Sequence, residues 1–141
     1  MRDTMLRQQR DSALFQSYQE ALKEKAFNTQ KEAIDYVISS PAPEWFVSRE
    51  FCAAVISSRL RGKDHYKMGR SKRRKFDALF DLYQQKRKEF PDCGYCHLDL
   101  CEVIVSMPAP EWFLGSDIAS KIIVRQMHIR NERMARRYGR K

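Results

Sequence analysis

The sequence predicts an all-α protein made by tandem duplication of a three-helix unit, with about six helices and a long C-terminal helix. The hexapeptide Pro-Ala-Pro-Glu-Trp-Phe occurs twice, at residues 41–46 and 108–113. A repeated run of this length that contains tryptophan indicates an internal duplication. Glycine and proline are scarce, at five residues each, and lie between segments of helical periodicity. No segment alternates apolar and polar residues as a half-buried strand does.

The similarity between the two copies extends in both directions from the hexapeptide. Downstream the copies align without a gap in the register that places Pro41 on Pro108, which we call the hexapeptide register. Upstream, residues 13–19 match residues 78–84 in the register that places Ala13 on Ala78, which we call the first-helix register. The two registers differ, so the second copy carries a short insertion between these blocks.

A unit of about 45 residues rarely buries enough apolar surface to fold alone. We therefore expect one compact body rather than two independent domains. Its parts are a first trihelical repeat at 1–61, a basic connector at 62–70 and a second trihelical repeat at 71–141 with a basic C-terminal extension.

The first helix of each copy is predicted from an apolar stripe at helical spacing. We expect these helices at about Asp3–Lys25 and Ser71–Glu89. The predicted inward residues are Leu14, Phe15, Tyr18 and Leu22 in the first copy, and Phe76, Leu79, Phe80 and Tyr83 in the second.

The second helix begins after Thr29, because the run from Thr29 to Glu32 forms a capping box. It ends before Pro41, and its counterpart ends before Pro108, because the residue that precedes a proline disfavours helix. The predicted inner faces are Ala33, Ile34, Val37 and Ile38 in the first copy, and Leu98, Cys101, Ile104 and Val105 in the second.

The third helix begins after Ser48, a favourable N-cap residue, and its counterpart begins near Ser116 and runs to about Arg137. The predicted inner faces are Phe51, Cys52, Val55 and Ile56, and Ile118, Ala119, Ile122 and Ile123. The repeated hexapeptide joins the second helix to the third, and its prolines stiffen the turn. Its Trp and Phe side chains are interpreted as a wedge in the core, and the alternative is an exposed Trp that stacks on bases or on a partner.

The positive charge of the chain is segregated. The net charge is +9, and residues 59–75 and 125–141 contribute +8 and +6, so the remainder of the chain is acidic. Each basic segment begins within the C-terminal part of the third helix of its copy and continues beyond it. This distribution favours a polyanionic partner, most often nucleic acid, over a merely solvated surface.

The three-helix unit resembles helix-turn-helix and Myb-like modules in outline only, and its turn from Ser39 to Ser48 is longer than theirs. Such modules place their last helix in the major groove. The resemblance implies that the outer face of the third helix contacts DNA. With the two basic segments, it gives the predicted nucleic-acid-binding residues: Arg49, Arg59, Arg61, Lys63, Lys67, Arg70, Lys72, Arg73, Arg74, Lys75, Lys121, Arg125, His128, Arg133, Arg136 and Arg137.

These observations predict a regulatory or architectural protein that binds double-stranded DNA through phosphate contacts. Two alternatives remain open, a helical structural or adaptor protein that binds another protein, and an RNA-binding protein. We expect no enzymatic activity, because no nucleophile elbow or phosphate loop is present. We also expect a cytoplasmic location and no membrane association, because there is no apolar run of the ~18 residues needed to span a bilayer and no export signal.

A cysteine cluster precedes the fifth predicted helix. Cys93, Cys96 and His97 match the pattern for covalent haem attachment, and with Cys101 they also suggest zinc. Cys101 aligns with Ile34 of the first copy, which indicates a small buried thiol instead. We therefore predict no metal and no cofactor.

Overall fold

A computed structural model describes residues 2–63, 67–89 and 97–139, and in these ranges the regular structure is helical, as the sequence predicts. The helices, in chain order, are α1 (Arg2–Glu24), α2 (Gln30–Ser39), α3 (Arg49–Leu60), α4 (Arg70–Glu89), α5 (His97–Val105) and α6 (Ser116–Met134), and a short π-helical segment (Ala135–Gly139) continues α6. No helix among the described residues is both long enough and apolar enough to cross a bilayer.

The third helix of each half packs on the first two helices of the other half. Helix α6 lies against α1 and α2, while α3 lies against α4 and α5. One ion pair and one hydrogen bond hold the first residues of α3 and α6 against the other half. Arg49 at the start of α3 donates to Glu102 of α5 over 2.7 Å, and Ser116 at the start of α6 donates to Asp35 of α2. Both contacts join the beginning of a third helix to the second helix of the other half.

The two hexapeptide segments meet at the centre of the molecule. Ala42 and Ala109 exchange two backbone hydrogen bonds of 3.0 Å each, which form an antiparallel bridge. Trp45 N–H donates to the carbonyl of Val105 over 3.4 Å, and Trp112 N–H donates to the carbonyl of Ile38 over 3.2 Å. The hexapeptide register relates the partners in these contacts, so the contacts are reciprocal, as in a two-fold symmetric interface.

The aromatic residues of the two segments stack in the same reciprocal way. The Trp45 and Phe113 rings lie 5.7 Å apart, and the Phe46 and Trp112 rings lie 5.8 Å apart, both nearly parallel. Trp45 and Trp112 are only 3% and 4% exposed. They lie in the core, as expected of a wedge, rather than on the surface. Phe46 and Phe113 adopt left-handed backbone angles (φ of 55° and 56°), a conformation that costs a non-glycine residue about 1–3 kcal/mol.

The predicted N-terminal caps of α2 and α3 are confirmed. The Thr29 hydroxyl accepts from Glu32 N–H, and the Glu32 carboxylate accepts in return from Thr29 N–H. The Ser48 hydroxyl accepts from Phe51 N–H at the start of α3. The N-cap of α6 is Gly115, which has no side chain to offer, although the predicted start near Ser116 is right.

Three predicted core residues are corrected by the structure. Leu22 is 48% exposed, and the smaller Ala21 takes its place in the core, because the buried stripe of α1 follows residues 14, 18 and 21. Leu98 is half-buried, and Leu100 occupies the core instead.

The third correction is Ile118, which is 54% exposed. Its counterpart Phe51 packs edge-on against Phe76, with ring centroids 5.5 Å apart. In the first-helix register, the position of Phe76 is occupied in α1 by Asp11. Ile118 therefore has no equivalent aromatic surface to cover.

Candidate nucleic-acid interface

The first basic segment begins at the C-terminal end of α3. Lys63 N–H donates to the carbonyl of Ser58 over 3.0 Å and Gly62 N–H donates to that of Arg59 over 2.9 Å, a Schellman motif. Gly62 has a φ of 72°, which this motif favours. The Ser58 hydroxyl, which is buried, closes the turn by donating to the carbonyl of Lys63. This well-formed cap leaves the side chains of Arg61 and Lys63 exposed to solvent.

The basic residues that begin α4 take different roles. The Lys72 ammonium lies 5.2 Å from the centre of the Phe51 ring. Arg74 forms an ion pair with Glu111 and lies 5.5 Å from the Phe113 ring, beside the central hexapeptide. Lys75 is half-buried and faces a cleft between α1, the start of α3 and α4.

This cleft has a volume of about 300 Å³ and combines cations with aromatic rings. Its cationic residues come from two helices, and its apolar wall includes Phe46, Phe51 and Phe76. The cations are Arg7, Arg10, Lys72 and Lys75. In the first-helix register, Arg7 aligns with Lys72 and Arg10 aligns with Lys75, so α1 and α4 contribute equivalent pairs. We call this feature the α1/α4 cleft.

The α1/α4 cleft carries more positive charge than its acidic groups neutralise. Arg10 donates to the Asp11 carboxylate over 2.9 and 3.0 Å. Among the described residues, neither Arg7 nor Lys75 has an ion-pair partner. Burial, together with the nearby charges of Arg10 and Lys72, lowers the pKa of Lys75 from 10.5 to about 8. Keeping this ammonium charged therefore costs the folded state free energy.

The lowered pKa predicts how the stability of the protein depends on pH. The unfolded chain binds more protons at Lys75 than the folded chain between pH 8 and 10.5, so the Lys75 contribution to the free energy of unfolding rises across this window. The charged groups that line the same cleft are Arg7 and Arg10 on α1 and Lys72 on α4, and Asp11 pairs with Arg10.

The measurement is urea unfolding from pH 7 to 10.5 of the wild type and of Lys75→Met. Because Met does not titrate, the difference between the two proteins isolates Lys75. We expect the variant to be the more stable of the two at pH 7, and this advantage to shrink by up to about 3 kcal/mol as the pH rises. A difference that does not change with pH would contradict the lowered pKa.

The second basic segment lies on the exposed side of α6 and on its π-helical continuation. Lys121, Arg125 and His128 line one shallow groove, together with Val124, Ile129 and Glu132. The Arg130 guanidinium lies 5.6 Å from the Phe15 ring of α1. Residues 131–138 are all exposed. This part of α6 extends past its packing partner and presents its side chains to solvent.

The predicted nucleic-acid-binding residues differ in exposure and in their ion-pair partners. Arg49 and Arg59 form intramolecular ion pairs. Arg49 pairs with Glu50 and Glu102, and Arg59 pairs with Asp77 at 2.6 Å. Lys75 lies in the α1/α4 cleft. The exposed residues of the predicted set are Arg61, Lys63, Lys67, Arg70, Lys72, Arg73, Arg74, Lys121, Arg125, His128, Arg133, Arg136 and Arg137.

Within this exposed group, some side chains still contact neighbours in the protein. Arg136 approaches Glu132 at 4.0 Å, and the Arg137 guanidinium lies 5.8 Å from the Tyr138 ring. The sequence analysis did not predict that Arg7 and Arg10 would lie beside Lys72 and Lys75 in the α1/α4 cleft. Their alignment with Lys72 and Lys75 in the first-helix register is the signal that would have identified them.

His97 is part of a hydrogen-bond network that joins three helices. Its Nε2 lies 2.7 Å from the carbonyl of Ala53 in α3, and its Nδ1 lies 2.9 Å from the Tyr83 hydroxyl of α4. A carbonyl only accepts, so Nε2 carries the proton and Nδ1 accepts from Tyr83. The Tyr83 oxygen in turn accepts from Arg87 over 3.1 Å. Both ring nitrogens are thus engaged in protein hydrogen bonds.

The cysteines that the structure describes are buried free thiols. Cys52 and Cys101 lie together between α3 and α5, and a hydrogen bond between them, with burial, raises the pKa of the Cys52 thiol. Cys93 and Cys96 of the predicted cluster lie outside the described residues. Within the described ranges, no group of three or more metal-ligating side chains is present.

No protein-family model matches the chain, and no curated protein or solved structure is significantly similar to it. The geometry and charge of this chain are therefore the basis for proposing its function.

Proposed function

We propose that this protein binds double-stranded DNA in a regulatory or architectural role, and that it arose by duplication of a three-helix unit related in outline to helix-turn-helix modules. The observation that carries the proposal is the exposed cationic surface of the two basic segments. Thirteen of the sixteen basic residues predicted for binding are exposed, and residues 131–138 extend as a free helical end. Exposed arginine and lysine side chains attract phosphates at long range and need little rearrangement to contact them.

The reciprocal contacts at the centre of the molecule support the duplicated origin. A protein with two equivalent halves can contact two neighbouring segments of a groove, as dimeric DNA-binding proteins do. The two halves differ at their exposed third-helix positions, such as Ala54 and its counterpart Lys121, so they would not contact the same bases. Phosphate contacts would supply most of the affinity.

The test is a mobility-shift assay with short duplex DNA at low salt, with duplex RNA of the same sequence as competitor. We expect retarded complexes that duplex RNA displaces less effectively than unlabelled duplex DNA. Absence of any complex at low salt would refute the proposal, and stronger competition by RNA would make RNA the ligand. The ratio of absorbance at 260 and 280 nm of the purified protein gives an independent indication of bound nucleic acid.

A second candidate is a helical adaptor that binds another protein. The observation that favours it is the aliphatic content of the exposed face of α6, where Ile118, Val124 and Ile129 lie among the cations. A contiguous exposed apolar patch with a polar rim is typical of protein-binding surfaces. Co-purification with a protein partner and no nucleic acid would support this function over DNA binding.

A further inference from the structure

The α1/α4 cleft differs in shape from the exposed basic surface that carries the proposed function, although the two share Lys72. It is a concave site of about 300 Å³, the lower end of the range of small-molecule pockets. The exposed cations of α6 line only a shallow groove on one helix. A cavity bounded by three elements can surround a small ligand, whereas a single exposed helix cannot.

The polar side of the cleft is suited to an anion with more than one negative charge. Arg7 and Arg10 on α1 and Lys72 and Lys75 on α4 all line the cavity. Asp11 offsets Arg10 alone, so the excess charge belongs to Arg7, Lys72 and Lys75. A phosphate monoester carries between one and two negative charges at neutral pH and offers three acceptor oxygens. Arginine and lysine donors match that geometry.

The cleft lining also includes apolar and aromatic side chains, and the Lys72 ammonium lies 5.2 Å from the centre of one of these rings, Phe51. Phe76 is 1% exposed, and Phe46 and Phe51 are half-buried beside it, with Leu6 and Val47 at the edge. The symmetric location keeps only one of the three phenylalanines, because Phe113 corresponds to Phe46 while Asp11 and Ile118 occupy the positions equivalent to Phe76 and Phe51. The cleft therefore offers an aromatic surface and a cationic surface on one side of the molecule, where a flat group and a phosphate can be held together.

We infer that the α1/α4 cleft binds a small phosphate monoester that carries a flat, apolar organic group. The phosphate lies among Arg7, Lys72 and Lys75, and the flat group lies against the phenylalanine wall. This inference does not require the protein to bind DNA. Binding neutralises the uncompensated cations, so it raises the stability of the folded protein, and it restores the pKa of Lys75 toward that of an ordinary lysine.

The experiment is a titration of the full chain at pH 7 in buffer free of phosphate and sulfate. Binding is measured by calorimetry and by the shift in unfolding temperature. The probes are phenyl phosphate, inorganic phosphate and benzyl alcohol. We expect saturable binding of phenyl phosphate, binding of inorganic phosphate that is at least several-fold weaker, and no measurable binding of benzyl alcohol. Equal affinity for the two phosphates would remove the aromatic part of the inference, and no saturable binding of either would overturn the site.

Two variants separate binding from folding. Lys75→Met is expected to raise the unfolding temperature in phosphate-free buffer, because it removes an unpaired charge, and to weaken phenyl phosphate binding by about tenfold or more. Arg7→Gln, at an exposed position, should weaken binding comparably without affecting the core. Lys121→Met on α6 is the matched control and should bind like the wild type. Unchanged affinity in both Lys75→Met and Arg7→Gln would refute the assigned site.

A final arm compares the cleft with the DNA interface. If duplex DNA binds, saturating phenyl phosphate either leaves its affinity unchanged, as two separate sites require, or competes with it. Competition would show that the cleft is part of the DNA-binding surface and would overturn its assignment as a separate small-molecule site. If duplex DNA does not bind while phenyl phosphate does, the proposed function fails and the cleft inference stands.

Discussion

Replacing Trp45 or Trp112 with alanine is expected to lower the free energy of unfolding by about 3–5 kcal/mol. Each indole is almost fully buried and stacks on the phenylalanine of the other hexapeptide segment, at 5.7 and 5.8 Å. Truncation would leave a cavity between the two halves, where neighbouring side chains are held by the Ala42–Ala109 bridge and cannot collapse freely. Urea unfolding followed by far-ultraviolet circular dichroism measures the change.

The reciprocal packing makes the two substitutions comparable, so their effects should agree within about 1 kcal/mol. Trp→Phe at either position should cost less than Trp→Ala. A ring remains for stacking, and neither Trp45 Nε1 nor Trp112 Nε1 has a hydrogen-bond partner in the described structure to lose. Tyr138→Ala, at a residue that is 73% exposed, is the control and should change stability by no more than about 0.5 kcal/mol. A similarly small effect of Trp112→Ala would contradict the core wedge.

Affinity for duplex DNA is expected to fall by about 10³–10⁵ between about 50 and 200 mM monovalent salt. This range applies if about six to ten phosphates are neutralised, because each contact releases counterions whose return becomes easier as salt rises. The twelve exposed arginine and lysine residues of the predicted set are sufficient in number for that many contacts. Fluorescence anisotropy of a labelled duplex across the salt range gives the slope of log affinity against log salt.

A pair of matched triple variants tests where the phosphate contacts lie. Lys121→Gln/Arg125→Gln/Arg133→Gln removes three exposed cations of α6, and we expect a slope shallower by about one for each lost contact. Lys23→Gln/Lys31→Gln/Lys88→Gln removes the same charge from exposed positions outside the proposed interface. Equal slopes in the two triple variants would show that only net charge matters, and would rule out a localised α6 contact surface.

Local features of this fold could be predicted because they depend on neighbouring residues. The capping box at Thr29, the N-cap at Ser48 and the helix ends before Pro41 and Pro108 follow from short-range hydrogen bonding and backbone sterics. The error at Leu22 occurred where two helical spacings are nearly equivalent. Residues 21 and 22 both follow a stripe through residues 14 and 18, and packing against neighbouring helices selects the smaller Ala21.

One error could have been avoided from the repeat itself. Ala33 is buried in α2, and in the hexapeptide register it aligns with Leu100, which is the buried residue of α5. Leu98 aligns with the exposed Lys31. The alignment of the two copies was therefore a better guide to the inner face of α5 than the helical spacing of its own residues.

The exchange of α3 and α6 between the halves could not be predicted from the sequence. Each third helix presents an apolar face, and its helical spacing alone does not select the first two helices of its own half over those of the other half. Which half each third helix packs on depends on the path of the chain through the hexapeptide turn, including the left-handed conformations of Phe46 and Phe113. The α1/α4 cleft is hidden for a similar reason, since the cations of α1 and those of α4 are far apart in the sequence.

The proposed DNA-binding function is tested most directly by titrating the ¹⁵N-labelled protein with a short duplex DNA at low salt. The change in each amide chemical shift is measured. We predict that the largest changes fall in residues 67–75, which lead into the first turns of α4, and in residues 121–137, along α6 and its continuation, and that α2 and α5 change little. Shifts confined to α2 and α5, or spectra that the duplex leaves unaltered, would contradict the proposal.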